Sequence, residues 1–149
     1  MTELEILKAE REYSESKIQH ICVTWFRMTF PHVGNLLISV PNGGWRGGKA
    51  GAMMKYEGQV KGASDLILLF PSHGKANLCI EMKVPKNRER RVGRQDLAQK
   101  EWQELVESYG SVYVVCHGLL EFIKAVCLYL HINHQKYIDE ATNKYPLYR

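Results

Sequence analysis

Residues 78–84, Leu78-Cys79-Ile80-Glu81-Met82-Lys83-Val84, set an acid and a base inside a run that is otherwise apolar. A run of this length, preceded by the turn-forming residues Pro71-Ser72-His73-Gly74-Lys75-Ala76-Asn77, reads as a strand. Successive strand side chains point to opposite faces. Leu78, Ile80, Met82 and Val84 therefore share one face, which belongs to a core, and Cys79, Glu81 and Lys83 share the other. Ionised groups on a covered sheet are costly unless they are paired or bind a metal ion. An isolated Glu-x-Lys is ordinarily a structural ion pair on an edge strand, so the segment needs a partner before it implies chemistry.

Asp65 is that partner. It opens the apolar segment Asp65 to Phe70, and the turn that follows is short enough for a hairpin. The hairpin would lay Asp65 near Glu81. Two converging carboxylates repel unless a divalent cation lies between them. Oxygen-only ligation favours magnesium or manganese, with positions left for water and a phosphate oxygen. Lys83 could then orient or help deprotonate an attacking water and offset phosphate charge. These are the parts needed for metal-assisted phosphodiester hydrolysis.

The rest of the chain supplies a frame. Ile18, Ile21, Cys22, Trp25, Phe26 and Met28 recur at helical spacing, and Pro31 ends that helix. Ser14 or Ser16 could cap it. Ser16 with Gln19 has capping-box spacing, as does Thr2 with Glu5, so an earlier helix from about Glu3 is expected. Residues 36–40 read as a strand and 49–57 as a short helix, with a glycine-rich loop between them. Ala98, Trp102, Leu105, Val106 and Tyr109 mark a further helix, stopped by Gly110. Ser111 to Cys116 reads as a strand covered on both faces, and Leu119 to Leu130 as a final helix stripe. The polar stretch from His131, with its scattered tyrosines, has no clear assignment. The order α-β-α-β-β-α-β-α implies an α/β fold, a mixed sheet flanked by helices. A chain of 149 residues is expected to make a single domain, with a core over about 14–130 and a tail over 131–149.

Composition narrows the partners. No apolar run approaches the roughly 18 residues of a membrane span. The acidic start Met1-Thr2-Glu3-Leu4-Glu5 does not resemble a signal peptide, so a cytoplasmic protein is expected. Cys22, Cys79, Cys116 and Cys127 form no CxxC pair and read as buried reduced thiols. Net charge is only +4, but Lys86, Arg88, Arg90, Arg91 and Arg94 crowd one loop, and Arg46 and Lys49 another. Basic loops suit a polyanion, because each neutralised phosphate releases counterions. Gly43-Gly44-Trp45-Arg46-Gly47-Gly48-Lys49-Ala50 approaches the phosphate-binding GxxxxGK[ST] pattern, but Ala50 lacks the final hydroxyl, so no nucleotide cofactor is expected. Arg46, Lys49 and the loop amides suit a DNA phosphate better.

Gly62-Ala63-Ser64-Asp65, then Ile80-Glu81-Met82-Lys83, then Gln99-Lys100-Glu101-Trp102 leading to Gly110, resembles the virus-type replication-repair nuclease (VRR-NUC) family of the PD-(D/E)xK superfamily. Asn42-Gly43-Gly44 and Glu15-Ser16-Lys17-Ile18-Gln19 resemble its stand-alone phage and bacterial members, and the resemblance spans roughly residues 14–130. It implies a restriction-endonuclease-like core, working in a bacterial or phage-infected cell. It implies magnesium or manganese held by Asp65, Glu81 and the Met82 carbonyl, a catalytic Lys83, and Gln99 facing the site. It further implies a role for Glu15, with its carboxylate reaching the metal through water. The family usually has proline before the motif Asp; here the residue is Ser64.

The expected function is thus a metal-dependent DNA endonuclease. Stand-alone members resemble structure-specific enzymes acting on branched DNA such as four-way (Holliday) junctions, for which a two-fold homodimer would place paired cuts. The aromatic C-terminal tail is a candidate interface. The alternatives are a non-catalytic nucleic-acid-binding module, and a nuclease or nickase without junction preference.

Overall fold

The computed structural model describes residues 1–41 and 48–149. The chain opens with α1 (Glu3–Glu10), capped by Thr2, whose hydroxyl accepts from the Glu5 amide while Glu5 reaches back to the Thr2 amide. Next comes α2 (Glu15–Thr29), capped by Ser14 rather than Ser16. A 3-10 turn leads into β1 (Leu37–Ser39). Then follow α3 (Gly48–Tyr56), β2 (Leu66–Leu68), β3 (Asn77–Met82), α4 (Leu97–Ser108), β4 (Ser111–Cys116) and α5 (Leu119–Leu130).

The four strands form one sheet in the order β1-β2-β3-β4. β1, β2 and β3 are mutually antiparallel, and β4 joins β3 in parallel after the crossover through α4. The expected mixed α/β architecture is present. The strands are shorter than their apolar runs suggest. β3 stops at Met82, so Lys83 and Val84 lie just past its end.

One face of the sheet carries Leu66, Leu68, Leu78, Ile80 and Met82, which pack with the apolar stripes of α2 and α5. These include Ile18, Ile21, Trp25 and Phe26 from α2, and Phe122, Ile123 and Val126 from α5. Trp25 meets Phe122 edge-on at 6.0 Å between centroids. The other face is covered more thinly, by α4, which has no fully buried residue. Its stripe is narrower than the sequence suggests: Ala98, Trp102 and Val106 are half-buried, but Leu105 and Tyr109 are exposed. β4 is an edge strand, so it is only partly buried rather than enclosed on both faces. All four cysteines are free and buried.

The stretch after His131 is ordered. It makes α6 (His134–Lys144) and a closing 3-10 turn, Tyr145–Tyr148. Ile138, Ala141, Tyr145 and Tyr148 join the main core, as does Ile6 of α1. The packed core therefore extends from Ile6 to Tyr148, beyond the 14–130 read from the sequence. Polar periodicity hid this, because few apolar residues anchor each end. Tyr145 and Tyr148 are spent inside the fold and do not form an exposed dimer surface. Among the described residues no helix is long and apolar enough to cross a membrane.

Candidate active site

The antiparallel register pairs Leu66 with Ile80, so the next step places Asp65 opposite Glu81, just before β2 begins. Asp65 Oδ2 accepts the Met82 amide at 2.7 Å. The Lys83 amide instead donates to the Cys116 carbonyl on the β4 side. In a strand the N–H and C=O of one residue point the same way and alternate along the chain. The Met82 carbonyl therefore faces the Asp65 side as its amide does, while its side chain is buried in the core. Ser64, where the related pattern has proline, is fully buried and donates to the Leu66 carbonyl at 3.0 Å. A side-chain bond thus shapes the turn into Asp65.

Glu81 is only 1% exposed. Its Oε1 receives the Lys83 ammonium at 3.2 Å and Gln99 Nε2 at 2.5 Å. Its Oε2 is buried without a hydrogen-bond partner. Burial pushes the Glu81 carboxyl up to about 8, the Asp65 charge adds to this, and Lys83 opposes it. Burial also raises Glu15, at the first turn of α2, again with Asp65 raising and Lys83 lowering. Asp65, Glu81, Lys83, Gln99, Glu15 and Asp96 all line one cleft of about 670 Å³.

Such a donor set suits a hard divalent cation. Two adjacent carboxylates, one with an orphaned buried oxygen, gain what a cation between them would supply. Among the described residues no three His, Cys, Asp or Glu side chains group closely enough to hold an ion by themselves. The groups that could hold such an ion are the Asp65 and Glu81 carboxylates and the Met82 carbonyl, with water completing the set. Glu15 would act from outside that inner set.

Gln99 is held from both ends. It is the third residue of α4, and Asp96 is the N-cap. Asp96 Oδ1 accepts the Gln99 amide at 2.9 Å, and Gln99 Oε1 accepts the Asp96 amide at 2.9 Å. With its carbonyl oxygen so engaged, the side chain turns its NH₂ to Glu81. Gln95 and Gln103, the other glutamines nearby, bond to each other at 2.9 Å. The spacing of Asp96 to Gln99 is that of a capping box, a signal present in the sequence itself.

The basic residues divide into groups. Arg46 lies outside the described residues. Lys49 is exposed on α3 and does not line the cleft, whereas Lys55 and Lys61, which the sequence reading did not single out as site residues, do. Lys86, Arg91 and Arg94 line a separate recess of about 430 Å³. Arg88 is exposed. Arg90 departs from the expectation: its guanidinium donates to the Pro85 and Arg11 carbonyls, at 3.1 and 2.9 Å, and so ties its loop to the end of α1. Asn87 reinforces this, donating to the Arg11 carbonyl and accepting the Glu89 and Arg90 amides.

The fold is shared with a solved structure described as "VRR_NUC domain protein". The two align with a TM-score of 0.67 at 22% identity, covering 81% of this chain and 91% of that one. No family model and no curated protein matches the sequence.

Proposed function

We propose that this chain is a nuclease of the VRR-NUC type that hydrolyses DNA phosphodiester bonds with magnesium or manganese. The observation that carries the reading is the Asp65–Glu81 pair, with an unpartnered buried oxygen on Glu81 and the Lys83 ammonium beside it. Asp65, Glu81 and the Met82 carbonyl would hold the ion. When bound, it would supply Lewis-acid polarisation of the phosphate and neutralise charge. Lys83 sits within reach to orient a water and to steady charge on the phosphate oxygens. Gln99 fixes the Glu81 carboxylate by a second hydrogen bond. Glu15 borders the cleft and would order solvent about the ion. The fold alone does not assign this chemistry; the arrangement of Asp65, Glu81 and Lys83 supports it.

Branched DNA, such as a four-way junction cut by a homodimer, is the substrate and assembly proposed from the sequence resemblance. The exposed Lys86, Arg88, Arg91 and Arg94 would contact phosphates away from the cut. Cleavage of a labelled four-way junction is compared with cleavage of matched linear duplex, in magnesium, manganese or chelator. Symmetric cutting of the junction alone, abolished by Lys83→Ala, is expected. Cutting of every substrate would retain the nuclease and discard the junction preference. Tight binding with no metal-dependent cutting would point instead to a binding module.

A further inference from the structure

α3 is an anomaly within the fold. It is nine residues long and none of its residues is buried. Helices this short are marginal by themselves and normally persist by packing an apolar face. Gly48, Gly51, Ala52 and Lys55 nevertheless all line the catalytic cleft. Their spacing, i, i+3, i+4 and i+7, makes them one helix face. That face carries only small residues for its first turn and a half and ends in an ammonium, with Met54 lining the cleft beside it. Lys61, on the segment after α3, lines the same cleft. Neither Lys55 nor Lys61 forms an ion pair among the described residues. The same cleft is lined by Asp65, Glu81, Glu15 and Asp96, with Lys83 beside Glu81, and holds the orphaned Glu81 oxygen.

We infer that this face of α3, with Lys55 and Lys61, is a second contact wall that grips the sugar-phosphate backbone of a single nucleic-acid strand beside the phosphate to be cut. The inference rests on the proposed nuclease reading for the identity of the ligand. Its chemistry is local. Lys55 and Lys61 hold flanking phosphates, and the carboxylates elsewhere on the lining would hold a metal. Small residues between them let a polymer backbone approach closely. At about 670 Å³ the cleft is the size of a small-molecule site, which suits a short length of one strand. Gly62 fixes the placement of Lys61. Its φ is +89°, and a Cβ there would lie 2.4 Å from the Ala98 carbonyl oxygen, so the segment lies directly on the first turn of α4. The segment is therefore held against the element that carries Gln99.

The test pairs two identical substitutions on one helix. Ala52 lines the cleft and Ala50 does not, and both are exposed. Binding of a labelled single-stranded oligonucleotide and of a matched duplex is measured by fluorescence anisotropy across a salt series. Circular dichroism checks that each variant is folded. Ala52→Glu is expected to weaken binding about tenfold or more through like-charge repulsion, and Ala50→Glu to leave it within about twofold. The double variant Lys55→Ala/Lys61→Ala should reduce the slope of log affinity against log salt by about 1.4 to 1.8, for two lost phosphate contacts. It should also raise KM more than it lowers kcat. Equal effects of Ala50→Glu and Ala52→Glu, or an unchanged salt slope in the double variant, would overturn the inference, as would wild-type protein that binds no oligonucleotide. If wild type binds but never cuts, hydrolysis fails while the matched pair and the slope still decide the wall. If wild type cuts and the variants are indistinguishable from it, the wall fails and hydrolysis stands.

Discussion

Gln99 donates to Glu81 through one end of its amide because the other end is already committed to the Asp96 backbone. A helix cap thus sets the direction of a hydrogen bond in the site. Gln99→Glu keeps the capping geometry but replaces the donor with a carboxylate facing Glu81. The expected outcome is a loss of cleavage of about 10²-fold, the scale of a misplaced catalytic group, with helix content retained. Asp96→Ala should cost about 1 kcal/mol of stability in thermal unfolding, and Asp96→Asn, which can still cap, should recover most of it.

The metal reading has a binding signature independent of turnover. Manganese or magnesium should raise the Tm of the wild-type protein, since a ligand that binds only the native state stabilises it by mass action. Asp65→Ala and Glu81→Ala should abolish that rise. Lys83→Ala should keep both the rise and DNA binding while losing cleavage. A full metal-induced rise in both carboxylate variants would remove Asp65 and Glu81 as the ligands.

A second buried carboxylate, far from Glu81 in sequence, should contribute to the dependence of stability on pH. Glu10 is buried at the start of α5, where its Oε1 accepts the Leu119 amide at 3.0 Å and its Oε2 has no partner. Burial pushes its carboxyl from 4.5 up to about 7, against the Leu119 hydrogen bond and with a small push from Glu121. Between those values the folded chain holds a proton that the unfolded chain has lost. Stability from this group is therefore complete below about 4.5, falls as pH rises, and levels off above about 7. Glu10→Gln should flatten that fall and raise stability at pH 8 by up to about 3 kcal/mol. Chemical denaturation at pH 5 and pH 8 measures the difference between the two proteins. An equal pH dependence in both would dismiss Glu10 as the cause.

Gly62→Ala tests how tightly the cleft wall is built. The left-handed backbone and the 2.4 Å approach to a carbonyl oxygen leave no room for a methyl group. The first turn of α4 would have to move, and Gln99 with it. A cost of about 1–3 kcal/mol is expected, with reduced cleavage even where the protein remains folded. Gly58→Ala is the matched control, because it also has positive φ but has open space around the added carbon.

The grouping of three candidate site residues was legible because strand alternation and a short hairpin are local rules. Asp65, Glu81 and Lys83 meet where those rules place them. The Thr2 cap followed from the same kind of local chemistry, whereas the second helix is capped by Ser14 and not by Ser16, the residue with capping-box spacing. Three features were not legible. The C-terminal segment is polar on most faces, and its burial depends on Tyr145 and Tyr148 reaching a core built by distant elements. Arg90 looked like its basic neighbours in composition, but one of its two partners, the Arg11 carbonyl, lies 79 residues earlier in the chain. Lys55 and Lys61 could be told from Lys49 only once the orientation of α3 was known.

Met82 fills three places at once: its side chain is in the core, its amide holds Asp65, and its carbonyl faces the site. None of this depends on the thioether. A side-chain scan would therefore grade position 82 as ordinary packing, tolerant of other apolar residues apart from proline, which has no amide hydrogen. Replacing the 81–82 peptide link by an ester would expose what such a scan conceals, deleting one hydrogen from the main chain and releasing Asp65 with every side chain still in place.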